Sequence, residues 1–372
     1  MRFVIHVLLH LVVAASSLQD SVAWAPCPRV PPIHTSSHTF LGLQSSNGNT
    51  DENDNNDNNN EQLFQEFVAF LQSTQASIIQ QIEDLDGSGA KFSNDTWGIF
   101  DTDTEGTSGG ITRVLQGGDF IEKGACSLTL IQQGVLTTER ASAIRSRQDV
   151  SVQAGDVYSA AALSMVLHTR SPMVPTFRSD VRIFLVSNGV TTKAWFGGGA
   201  DLTPYYLNVD NIKSFHQDYK QLADQHQIAG YDYNTMKHAC DDYFYLVARS
   251  EHRGTGGIFF DDMEATATSM EFVKDVANVW MPSWLPIVEQ NRNEPYTEQQ
   301  RQWQLLRRGR YLEFNLLYDR GVIFGLANEN PRVEGVMVSA PPLIAWEYNH
   351  AIDEGSEEHK LMEILKKPVE WV

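Results

Sequence analysis

"RSDVRIFLVS" (residues 178–187) reads as a β-strand whose two faces differ in kind. Side chains of an extended chain point alternately to opposite sides. Val181, Ile183 and Leu185 therefore make an apolar row, and Arg178, Asp180 and Arg182 make a charged row on the reverse. A charged row on a strand is either the solvated face of a sheet or the lining of a pocket for a charged ligand. Arginine suits the second role, because its planar fork matches a carboxylate.

Working outward, similar runs occur at "ITRVLQ" (111–116), "SLTLIQQ" (127–133), "AALSMVLH" (161–168), "TTKAWFG" (191–197) and "GIFFDD" (257–262). "RYLEFNLLYD" (310–319), "GVIFGLA" (321–327) and "EGVMVSA" (334–340) read as further strands, the first with Leu312, Phe314, Leu316 and Tyr318 facing the core. In the run 161–168, Ser164, Val166 and His168 share a face. Helical spacing of Leu63, Phe64, Phe67, Val68, Leu71, Ile78, Ile79 and Ile82 predicts a helix over 61–84. Other helices are expected at 208–229, 235–252, twice between 264 and 310, and at 356–366. Consecutive strands with little helix between them imply an α+β fold. Its core is a large antiparallel sheet flanked by helices, in a single domain over 61–372.

Within "WFGGGADLTPYY" (195–206), three glycines lead to one acid, Asp201. The spacing is neither GxGxxG nor a P-loop. It permits a tight turn, or a close approach of backbone to a ligand.

The 372 residues are 42% hydrophobic and 20% charged, an ordinary globular composition, with a net charge of −19. That charge argues against nucleic acid as a partner. Cys27, Cys126 and Cys240 are far apart, which indicates neither a zinc site nor a disulfide scaffold. Residues 1–23 have the layout of a signal peptide, too short to be a membrane span. Residues 24–45 lack acids and resemble a transit peptide. Together they predict plastid targeting through a bipartite leader, with no stable membrane insertion. Residues 46–60 are Asn/Asp-rich and read as a solvated linker.

"FGGGADLTPYY", "CDDYFYL", "RGTGGIFFDD", "WQLLRRGRYLEFNLLYDRG" and "PVEWV" resemble, in order, the oxygen-dependent coproporphyrinogen III oxidases, from about Asp95 to Val372. The resemblance implies oxidative decarboxylation of two propionates of coproporphyrinogen III, giving the vinyl groups of protoporphyrinogen IX. It implies molecular oxygen as co-substrate, no metal or organic cofactor, and a homodimer. Asp201 then corresponds to an acid that meets the pyrrole nitrogens, with Gly198 and Gly199 letting the macrocycle approach. Arg182 and Arg332 correspond to substrate-binding arginines, and Ser164 to a serine of the substrate site.

The chain departs from that pattern at informative places. The family motif Pro-Thr-x-His-x-Asn-x-Arg is "PTFRSDVR" here, so Arg178 stands for a histidine given a catalytic role and Asp180 for an asparagine. Arginine cannot shuttle a proton at working pH. A second family histidine is Ala248. His252, one helical turn on if 235–252 is helical, is a candidate replacement. Ala125, Cys126 and Ser127 replace a usual Gly-Val-Asn. His168 and His216 match family histidines, but with the other two altered no metal site is expected. Two functions follow: a working coproporphyrinogen oxidase, or an impaired paralogue that binds a tetrapyrrole or pairs with an active subunit; a third, an oxidase acting on a different tetrapyrrole, sits between them.

Overall fold

A computed structural model describes residues 49–100, 104, 106–145, 151–189, 191–327 and 331–372, and the structural statements below concern these residues. The leader expected over 1–45 lies outside them.

The chain opens with helix α1 (Asn49–Asp86), followed by strands β1 (Asp95–Gly98), β2 (Ser108–Gln116) and β3 (Ile121–Val135). A short helix α2 (Thr138–Arg145) precedes β4 (Val157–Thr169), β5 (Thr176–Ser187) and β6 (Thr192–Thr203). Then come helices α3 (Val209–His226) and α4 (Tyr233–Tyr243), and a small hairpin β7 (Tyr245–Leu246) and β8 (Glu251–His252). Strand β9 (Gly256–Glu264) precedes five helices: α5 (Ala267–Asn291), α6 (Glu298–Leu317), α7 (Arg320–Leu326), α8 (Val333–Val336) and α9 (Glu357–Lys366). The main sheet has seven strands, all antiparallel, in the order β1-β2-β3-β4-β5-β6-β9. The expected α+β architecture is therefore present, and the described residues belong to one compact unit, Gly48–Val372.

Period-2 alternation divides the sheet as the sequence indicates. Cys126, Leu128, Leu163, Met165, Val181, Ile183, Phe196 and Ala200 face one side, where α1, α3 and α5 close the main core. Phe64, Phe67, Leu71 and Ile82 of α1 are fully buried there, each contributing about 1.5–3 kcal/mol. The opposite face carries Ala125, Ser127, Ser164, Val166, Arg178, Asp180 and Arg182, with α6 to α8 above it.

Three expectations are corrected. The stretch 46–60 is not wholly a linker, since α1 begins at Asn49. Asn60 is already docked, its amide donating to the Thr192 carbonyl at 3.1 Å, and extending a helix back from an anchored turn requires no new nucleation. The runs 310–319, 321–327 and 334–340 are not strands: their described residues fall mainly in α6 and α7, and the last run begins in α8 and continues as turn. A capping box, Thr297 with Gln300, starts α6, whose buried positions Trp303, Arg307, Tyr311 and Phe314 have helical spacing while Leu316 is exposed. The third concerns the helix over 235–252, which stops at Tyr243. Residues 247–249 form a 3-10 turn and Ser250 is left-handed at φ 52°, which reverses the chain into the β7–β8 hairpin.

Candidate active site

Cross-strand register assembles the site. Ala125, Val166, Arg178 and Asp201 form one row across β3, β4, β5 and β6. Ser127, Ser164, Asp180 and Gly199 form the next, and Thr129, Ala162, Arg182 and Gly197 the third. Apart from Asp201 and Gly199, the members of these rows floor a cavity of about 740 Å³, roofed by Tyr311, Asn315, Asp319, Arg320, Val336 and Ser339 from the α6–α8 region. Trp195, Tyr243 and Phe259 supply flat aromatic wall. Four guanidiniums, of Arg178, Arg182, Arg253 and Arg320, face four carboxylates, of Asp180, Asp261, Asp262 and Asp319.

Asp180 lies between the two floor arginines. Its Oδ1 is 2.7 Å from Arg178 and its Oδ2 pairs with Arg182. Arg182 also reaches Asp261 at 3.1 Å. Burial by itself would lower the pKa of Arg178, but Asp180 and then Asp201 outweigh it and raise the pKa. The guanidinium is permanently charged and serves as an electrostatic fixture, not a proton donor.

Asp201 is almost fully buried and its Oδ2 accepts from Arg253 at 2.5 Å, while Oδ1 has no hydrogen-bond partner. Arg253 lies over three rings, 3.9 Å from the centroid of Phe244, 4.4 Å from Tyr311 and 4.9 Å from Phe314. Arg253, and not Asp201, is on the cavity wall. A buried carboxylate needs a cation. That rule signals a partner for Asp201, but the partner sits 52 positions away and spacing cannot single it out. Arg320, Asp261 and Asp319 also escaped the sequence reading.

The glycines divide their work. Gly197 lines the cavity, and a Cβ there would stand 2.8 Å from the Arg182 guanidinium. Gly198 points to the helical core, toward Phe260 and Val181. At Gly199 a Cβ would meet the Ile258 carbonyl at 2.4 Å. Gly198 and Gly199 thus serve strand packing beside the floor.

Ser164 lines the cavity, opposite Ser127 and Asp180 in register. Two expected residues lie elsewhere. Arg332 pairs with Asp95 and covers Trp97 at the β1 edge. His252 is in β8 and faces the Leu365 carbonyl at 2.8 Å, because the helix that would have aligned it with Ala248 ends earlier. His168 and His216 are buried apart, each with both ring nitrogens engaged. Among the described residues no cluster of three or more His, Cys, Asp or Glu could hold a metal.

Residues 66–371 match the family profile described as Coproporphyrinogen III oxidase. Over 305 residues the chain is 41% identical to the mitochondrial oxygen-dependent coproporphyrinogen-III oxidase of Homo sapiens, covering 80% of this chain and 65% of that protein. It is 39% identical over 309 residues to coproporphyrinogen-III oxidase 1, chloroplastic, of Arabidopsis thaliana, covering 81% and 78%. It is 39% identical over 306 residues to the oxygen-dependent coproporphyrinogen-III oxidase of Francisella philomiragia, covering 81% and 96%. The extent of these matches, over the strands and helices that build the cavity, shows that the chain belongs to the coproporphyrinogen III oxidase family.

Proposed function

We propose that this chain is an oxygen-dependent oxidase of coproporphyrinogen III in porphyrin biosynthesis. The observation that carries the reading is the cavity of about 740 Å³ over a floor of Arg178, Asp180, Arg182 and Ser164, in a chain of this family. Each turnover would break the bond between a propionate and its carboxylate, release CO2 and leave a vinyl group. Two electrons and the accompanying protons would pass to oxygen, reducing it to peroxide. In this reading Arg253 and Asp201 stand under the centre of the macrocycle, and Trp195, Tyr243 and Phe259 pack against its edges. The free Oδ1 of Asp201 is the group suited to accept a pyrrole N–H once Arg253 gives way.

The reaction is proposed to need oxygen and no metal or organic cofactor. The engaged ring nitrogens of His168 and His216 support this. A homodimer is proposed from the family resemblance of the "RRGRYLEFNLLYDRG" segment (307–321). Plastid import is proposed from the two-part leader, and chloroplastic relatives support it. No helix among the described residues is long and apolar enough to cross a membrane.

A second reading has its own support. Arg178 cannot exchange a proton and Arg253 covers Asp201, which fits a protein that binds a tetrapyrrole without turning it over. One assay separates the two. Purified chain is mixed with coproporphyrinogen III under air, and the products are oxidised and resolved by fluorescence. Protoporphyrin formed by the parent and absent with Asp201→Asn supports the oxidase. Binding of the substrate with no product from the parent supports the second reading.

A further inference from the structure

Arg178 and Arg182 both present guanidiniums to the cavity floor, and Asp180 stands between them on β5. One Asp180 oxygen is 2.7 Å from Arg178 and the other pairs with Nη1 of Arg182. Nη2 of Arg182 holds Asp261 at 3.1 Å, and Asp261 is shared with Arg320 at 3.3 Å. Both terminal nitrogens of Arg182 therefore already carry carboxylate oxygens. Charges alternate without a break from Arg178 on the floor to Arg320 at the mouth.

On Arg182 a carboxylate of an entering ligand would need the nitrogens that Asp180 and Asp261 now hold; on Arg178, Nη2 faces Asp180 and Nη1, though without a partner, is buried. To take the held nitrogens it must displace a buried carboxylate, which is costly to leave without a cation. Nor do the walls offer spare positive charge, since four guanidiniums are matched by four carboxylates. The rest of the lining suits a flat, weakly charged body, with Trp195, Tyr243 and Phe259 beside small residues such as Ala125, Ala162 and Gly197.

We propose that Asp180 is a resident carboxylate occupying the seat that a substrate carboxylate would take on Arg178 and Arg182. It thereby sets specificity, weakening the hold on tetrapyrroles with four carboxylates relative to those with two. The inference rests on the reading of the cavity as a tetrapyrrole site. An asparagine at position 180 has the same shape without the charge, so Arg178 and Arg182 lose their shared carboxylate and keep positive charge for one on the ligand.

The test titrates the full chain with coproporphyrin III, which carries four carboxylates, and with mesoporphyrin IX, which carries two, following quenching of tryptophan fluorescence. Asp180→Asn is expected to tighten coproporphyrin III by about tenfold or more, the size of one charge-assisted hydrogen-bonded pair, and to change mesoporphyrin IX by less than about threefold. Arg178→His with Asp180→Asn preserves the net charge of the floor at neutral pH and should move the ratio the same way. It serves if the single variant fails to fold. If both porphyrins bind and neither variant changes the ratio of their dissociation constants, Asp180 sets no preference and the proposal is overturned while the tetrapyrrole reading stands. If neither porphyrin binds parent or variants, the tetrapyrrole reading falls and takes this proposal with it.

Discussion

Arg253 and Asp201 form a buried pair in which each needs the other. Replacing Arg253 by Gln strands the Asp201 carboxylate behind the floor, and loss of one partner from such a pair typically costs about 3–5 kcal/mol. The urea midpoint of Arg253→Gln should fall accordingly, and Asp201→Asn in the same chain should recover a large part of the loss. No recovery would mean that packing of Phe244, Tyr311 and Phe314 on the guanidinium outweighs the charge. His216 makes a second prediction. Burial, and then the Lys237 charge, lower its pKa from 6.5 to about 3. The Nε2–H donates to the Thr255 carbonyl and Nδ1 accepts from the Tyr233 hydroxyl, which is the neutral form. The unfolded chain binds the proton more readily, so this contribution is complete above about pH 6.5 and is lost as pH falls toward 3. His168 shifts in the same direction. Glu122 and Asp86, whose pKa values are lowered, lose their share only below the ordinary carboxylate range. A fall in urea midpoint between about pH 6.5 and 5 has the sign of the histidines and not of Asp218 and Asp241, whose pKa values burial raises, and it should be shallower in His216→Phe. Arg178, Asp180 and Arg182 were placed together by alternation alone, because period 2 is a local property of the chain, whereas Ser164 joined them only through the family resemblance. Arg253 was not, because its position depends on how β9 and the β7–β8 hairpin return to the sheet.

At the scale of elements, the sheet was legible and the roof was not. Leu312, Phe314, Leu316 and Tyr318 alternate by chance on a helix, and the decisive cues lay outside the run, in the Thr297–Gln300 capping box and in buried Trp303 and Arg307. Charged residues dominate how α6 is fastened. Glu122 of β3 accepts from both Arg301 and Arg308 at 2.6 Å, and Trp303 donates to the Tyr205 carbonyl at 2.7 Å. A helix held by buried arginines does not show the apolar stripe that a pattern search seeks. The β6–β9 pairing is the element most sensitive to small change. Gly199→Ala would place a methyl 2.4 Å from the Ile258 carbonyl oxygen, so the strands must part. Overpacking of this kind costs about 1–3 kcal/mol. Denaturant unfolding should show the loss, whereas Gly230→Ala, in open space but at φ +81°, tests backbone strain without any clash. Equal stability of Gly199→Ala and parent would mean that β9 can slide.

For the whole molecule, the family and the cavity were legible because the long signature segments survive, while the altered floor decides how well the cavity works. If the oxidase reading holds, Arg178→His with Asp180→Asn should raise turnover by at least about tenfold, a cautious fraction of what a general acid or base supplies. Unchanged turnover with binding intact would place the limiting step elsewhere, for example at Ala125 and Ser127. The order of the sheet also has a consequence for biosynthesis. From β1 to β6 each strand follows its neighbour in the chain, so every strand leaving the ribosome finds its partner already present. The exception is β9, which pairs with β6 only after residues 204–255 have been made. At about 5–20 residues per second this takes roughly 3–10 s. Throughout that interval the Trp195–Leu202 edge is open, rich in glycine and aromatics and free of proline, the kind of edge that captures strands from other chains. The edge that carries Asp201 is thus the segment of the nascent protein most in need of a chaperone, and slowing elongation between residues 204 and 255 should raise the yield of aggregate more than slowing it anywhere upstream.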